Sequence, residues 1–133
     1  MATLKTNTLT GTSTAGSIAV TGEGNSTTTN LQQGLAKMWA NVDGTGTAAL
    51  DDSFNASGLT DNGTGDQTLA FTNSMGNDDY SALGGGERDN GGQGQIIGHV
   101  DKTTSNYQID VKEDNGSADE YLEASFTVHG DLA

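Results

Sequence analysis

From residue 44 onward, apolar and polar positions alternate in short runs separated by glycine and asparagine turns, the period of half-buried strands. The clearest run is "DEYLEASFTVH". Leu122, Ala124, Phe126 and Val128 are predicted to face in, and Tyr121, Glu123, Ser125, Thr127 and His129 out. "NYQIDVK" puts Tyr107, Ile109 and Val111 on one face, and "GQIIGHV" reads as the strand before it. "SGLTDNGTGDQTLAFT" reads as a hairpin about "DNGTG", with Leu69 and Phe71 on one face. "EDNGSAD" is expected to turn the last two strands into another hairpin. Upstream, "NLQQGLAKMW" predicts a short turn of helix with Asn30 as N-cap, where Leu31, Leu35 and Met38 fall at i, i+4 and i+7. Gly34 weakens it by about 1 kcal/mol. "AKMWANV" then reads as a strand with Lys37, Trp39 and Asn41 on one face and Met38, Ala40 and Val42 on the other.

These elements predict an all-β fold: an antiparallel β-sandwich, jelly-roll-like, forming a head over residues 31–133. Its expected core includes Trp39, Phe54, Leu69, Phe71, Ile109, Phe126 and Val128. Residues 1–30 differ. They are almost wholly Thr, Ser, Gly, Ala and Asn, interrupted by apolar alternation around Leu4 to Leu9 and at "SIAVT". Threonine favours extended backbone but supplies little burial. This stretch is therefore either a mobile tail or an extended arm that orders on a neighbour, by attachment or by intertwining with sister chains. "ALGGGERDNGGQGQ", residues 82–95, is expected to be a glycine-rich loop.

Composition sharpens the second alternative. Only 32% of the 133 residues are hydrophobic, too few for a generous core, so burial against partner subunits is expected. The charge is one-sided, with 5 Lys+Arg against 18 Asp+Glu and a net charge of -13. Nucleic acid and anionic membranes are disfavoured partners, because no basic stripe offsets the repulsion. Such acidity serves solubility, or tolerance of salt and divalent cations. With no cysteine, disulfides, zinc–thiolate sites and thiol catalysis are excluded. The opening "MATLKTNTLTGTSTAG" has no apolar segment of the kind a secretory leader carries, so synthesis in a cytoplasm is expected. No run approaches the roughly 20 apolar residues that span a bilayer.

Candidate chemistry is sparse. His99 and His129 both fall on predicted strands, and no GxSxG elbow accompanies them, so no enzymatic activity is expected. The glycine-rich loop lacks the Lys-Ser/Thr ending of a phosphate loop and carries Glu87 and Asp89. Four acidic, amide-rich turns offer hard oxygens suited to calcium, with Asp61, Asp66, Asp114 and Asp119 as the candidate ligands. The same residues are the ordinary residues of tight turns. Binding on a β scaffold tends to reside in loops, which singles out Asn77, Asp78, Asp79 and Tyr80, and Glu87, Arg88, Asp89 and Asn90.

The stretch "GSIAVTGEGNSTTTNLQQGLAKMWANVDGTGTAALDDSFNASGLTDNGTGDQTLAFTNSM" resembles short tail-fibre-like and other virion structural proteins of tailed bacteriophages, marine ones in particular. The resemblance runs from residue 1 to about 75 and returns in the closing "GDLA"; residues 76–120 match nothing in that pattern. It implies a homotrimeric, non-enzymatic fibre-type head on the particle surface, with partners among tail or capsid proteins and a host-surface glycan or protein as the attachment target. A tail fibre is expected to need a long shaft, so the shortness of the chain favours the alternative expectation, a capsid decoration or head-fibre protein held through its N-terminal arm.

Overall fold

The computed structural model describes residues 3–13, 18–22, 24, 26–88 and 95–133. The chain forms two compact units, Met1–Leu35 and Ala36–Ala133. In the first, β1 (Ala19–Thr21) pairs antiparallel with β2 (Thr28–Asn30), and α1 (Leu31–Gly34) follows directly. Asn30 caps α1 as expected, its side chain accepting from the Gln33 N–H at 3.1 Å. None of the described residues of this unit is buried; Leu4, Leu9, Val20 and Leu35 are exposed. The division falls after Leu35, so α1 belongs to the first unit and not to the head.

The second unit is an antiparallel β-sandwich. Its strands are β3 (Met38–Asp43), β4 (Ala49–Phe54), β5 (Ala56–Gly63), β6 (Asp66–Phe71), β7 (Ser81–Arg88), β8 (Gln95–Lys102), β9 (Asn106–Glu113) and β10 (Tyr121–His129). They form two four-stranded sheets, in the orders β4-β3-β10-β7 and β5-β6-β9-β8. Hairpins β3–β4, β5–β6 and β8–β9 stay within a sheet, and the remaining connections change sheet. The change from β4 to β5 takes a single residue, Asn55, at φ 59. Its amide repays that conformation, which costs a non-glycine residue roughly 1–2 kcal/mol: it donates to the Lys37 carbonyl at 2.9 Å and accepts from the Asn73 N–H at 2.7 Å.

The core lies between the sheets. Met38, Ala40, Val42, Ala124, Phe126 and Val128 come from one, and Leu69, Phe71, Tyr107, Ile109 and Val111 from the other. Burying each large side chain contributes roughly 1.5–3 kcal/mol. Phe126 and Tyr107 meet across the sandwich edge-on, with ring centroids 6.3 Å apart. At the start of β10 the buried Tyr121 hydroxyl donates to Gln67 Oε1 of the other sheet at 3.0 Å, which satisfies a polar pair that would otherwise cost free energy. Gly84 faces Phe126 so closely that a Cβ there would lie 2.6 Å from the ring.

Several expectations are corrected. Trp39 and Phe54 are exposed, not core, because Met38, Ala40 and Val42 take the inward face of β3 and leave the alternate positions outside. Tyr80 is buried; it packs edge-on against Phe71, and its hydroxyl donates to the Asn106 carbonyl at 2.9 Å. In β10, Tyr121 faces in and Leu122 out. The register skips one residue between Tyr121 and Glu123, and such a bulge reverses the faces beyond it. "EDNGSAD" closes a local turn, with Glu113 N–H on the Ser117 carbonyl at 2.9 Å, but carries the chain to the other sheet instead of forming a hairpin. The glycine-rich residues 82–88 are strand: β7 pairs with β10 along its length, and its missing side chains make room for Phe126. Residues 89–94 of that expected loop, including Asp89 and Asn90, lie outside the described residues.

Candidate functional site

Strand alternation sends every second side chain of the β4-β3-β10-β7 sheet away from the core. The registers align these outward residues into rows that cross the strands. The first row is Phe54–Trp39–Thr127–Leu83. Phe54 is 53% exposed, Trp39 37% and Leu83 65%. The next row is Asp52–Asn41–Ser125–Gly85, where the Ser125 hydroxyl donates to Asn41 Oδ1 at 2.9 Å. The last row before the β10 bulge is Asp43–Glu123–Glu87. The face thus grades from apolar, through hydrogen-bonding groups that include one carboxylate, Asp52, to a row of three carboxylates. Asp43 is held below the usual carboxylate range by the Thr45 hydroxyl and N–H, both of which donate to it.

The chain has three phenylalanines, three tyrosines and one tryptophan. Phe71, Tyr80, Tyr107, Tyr121 and Phe126 are buried. The two aromatic rings that reach solvent, Trp39 and Phe54, are cross-strand partners on this one face. A shallow groove of about 220 Å³ continues the row on the β7 side, lined by Leu83, Gly85, Ser125 and Thr127 among others. It exists because Gly85 has no side chain: nothing lies within 4 Å of where its Cβ would be. The sequence-based expectation placed Trp39 in the core. The signal that places it outside was present in "KMWANV", whose other face already carries Met38, Ala40 and Val42.

The loop residues singled out from the sequence divide. Asp78 and Asp79 are exposed beside a cleft of about 350 Å³ that His99, Val100, Asp101 and Lys102 of β8 complete. Asn77 Oδ1 accepts the Asp79 N–H at 3.0 Å, a local turn bond. Tyr80 lies beneath the cleft, where its carbonyl accepts from Lys102 Nζ at 3.0 Å and its ring lies 5.2 Å from that ammonium. His99 Nδ1 meets the Tyr107 hydroxyl, whose ionisation burial pushes up to about 12. Glu87 and Arg88 end β7 instead of lying in a loop, and Glu87 belongs to the acidic row.

The four carboxylates considered as calcium ligands serve turns and strands or stand apart. Asp61 accepts the Ala48 and Gly63 N–H groups at 3.2 and 2.9 Å. Asp66 Oδ1 accepts from Asn62 and Gln108 at 3.1 and 2.8 Å. Asp114 is exposed in the turn after β9, and the Asp119 N–H donates to the Val111 carbonyl at 3.1 Å. Among the described residues no three of His, Asp and Glu gather as a metal site would require. His129 Nε2 lies 3.5 Å from the Thr127 hydroxyl at the margin of the aromatic row.

No protein-family model, curated protein or solved structure matches the chain. The site therefore rests on its own geometry.

Proposed function

We propose that this chain is a non-enzymatic structural protein of a bacteriophage particle, a homotrimeric fibre-type head displayed on the virion surface that touches the host. The observation that carries this reading is the exposed aromatic pair on one sheet face. A chain with few aromatic residues leaves two of them, Trp39 and Phe54, in register and in contact with solvent. Aromatic residues are the commonest anchors of recognition surfaces, whereas an outer sheet face needs none for stability. The resemblance of residues 1 to about 75 to tail-fibre-like virion proteins supports the particle setting.

A second reading, capsid decoration through the N-terminal segment, is favoured by a different observation. The first unit contains no buried residue among those described, and Leu9, Ile18, Leu31 and Leu35 line an open groove of about 510 Å³. A segment with so little burial of its own gains order from a surface it lies on, whether capsid or sister chains. Immunogold electron microscopy of purified particles, with antibody to the head, separates the readings. Gold at the tail supports the attachment head, gold over the capsid supports decoration, and unlabelled particles overturn both.

A further inference from the structure

We propose that the outer face of the β4-β3-β10-β7 sheet binds a neutral glycan, laid across the strands along the row that Phe54 and Trp39 begin. The proposal deepens the attachment reading and rests on it for the source of the ligand, a host surface. A pyranose ring has an apolar face of C–H bonds and a rim of hydroxyls. The first stacks on the electron-rich face of an aromatic ring, and the second needs hydrogen-bonding groups beside it. Both are here in adjacent rows: Trp39 and Phe54, then Asp52, Asn41 and Ser125. The Ser125 bond to Asn41 Oδ1 fixes that amide and leaves its nitrogen as the donor end.

Length and charge narrow the ligand. With strands about 4.8 Å apart, the row from Phe54 to Leu83 spans roughly 14 Å, the reach of a short oligosaccharide. The groove over Gly85 prolongs the aromatic platform and is bordered by the hydroxyl-bearing Ser125 and Thr127. The acidic row of Asp43, Glu123 and Glu87, on a chain of net charge -13, repels an anionic polymer. It equally repels a second copy of the same face, whose own acidic row would have to be desolvated nearby. A neutral chain of sugars meets neither penalty.

Trp39 is the only tryptophan, so its fluorescence reads this face and no other. The full chain is titrated with neutral hexasaccharides of glucose, mannose, galactose and N-acetylglucosamine in α- and β-linked forms, and with hexagalacturonate as the anionic counterpart. The expected result is a saturable change in Trp39 emission with at least one neutral hexasaccharide and none with galacturonate. Calorimetry with that sugar should then show roughly tenfold or greater weakening for Trp39→Ala and for Gly85→Leu, the loss that follows removal of an anchor or filling of its groove. Gly85→Leu builds into open space, so its circular dichroism should match the parent and separate a blocked site from a misfolded one. Asp79→Asn, in the cleft beside β8, should bind as the parent does.

Three results overturn the proposal: no neutral sugar moves the emission, binding survives both face variants, or the emission shifts with protein concentration alone. The last would make a second copy the occupant. Particles that take gold at the tail while the purified chain ignores every sugar would remove the glycan and leave the attachment reading standing.

Discussion

The two faces of the β4-β3-β10-β7 sheet are made by the same strands and differ in almost everything else. On β3 the inner positions are Met38, Ala40 and Val42, each essentially without solvent, and the outer ones are Trp39, Asn41 and Asp43. On β7 the adjacent glycines divide the same way, Gly84 pressed against Phe126 and Gly85 open. The inner face is close-packed, so its residues are constrained by volume. The outer face carries the larger side chain, Trp39, where packing does not demand it. Size alone therefore does not mark the core in this chain; position in the alternation does.

The contrast is sharpest in stability. Phe126→Ala should cost roughly 3–5 kcal/mol, since it empties the centre of the sandwich and removes the ring that Tyr107 meets. A urea-unfolding loss below about 1 kcal/mol would mean that the faces are assigned the wrong way round. Gly84→Ala should cost about 1–3 kcal/mol through overpacking against Phe126, measured in the same way.

Alkaline pH probes the inner face without mutation. Burial raises the Tyr107 phenol from 10.0 to about 12 and also raises those of Tyr80 and Tyr121. The unfolded chain therefore loses these protons first. Their contribution to stability is intact below pH 10, and stability falls as pH rises from there toward 12. A urea midpoint that does not change between about pH 9 and pH 11.5 would show that the tyrosines are in water.

On the outer face the effects should shrink. Trp39→Ala should cost about 1 kcal/mol, because the indole is partly exposed; a loss near that of Phe126→Ala would return it to the core. Gly85→Ala should lie within roughly 0.5 kcal/mol of the parent, and the difference between it and Gly84→Ala is the most direct comparison of the two faces.

Much of the fold was legible in the sequence. The alternation of "NYQIDVK", the hairpin on either side of "DNGTG", the strand run through Phe126 and Val128 and the Asn30 cap all depend on neighbours within a few residues. The candidate site was less legible. Loop composition pointed to residues 77–80 and 87–90, yet Tyr80 turned inward to Phe71 and Asn106, and Glu87 became part of a strand. Phe54 and Trp39 are 15 positions apart in the chain, and only the β3–β4 register sets them side by side. Leu83 and Gly85 join them through β10, a strand that comes almost at the end of the chain.

By itself the sequence determined the period of strands such as β6 and β9, the net charge of -13 and the low apolar content of residues 1–30, since these are properties of composition and of near neighbours. Tertiary structure decided which strands share a sheet, where the bulge at Leu122 reverses the faces of β10, and that a glycine-rich stretch is a strand whose missing side chains accommodate Phe126 on one side and open a groove on the other. The reason is physical: alternation says that a strand has two faces, but only the sheet stacked against it determines which one is dry.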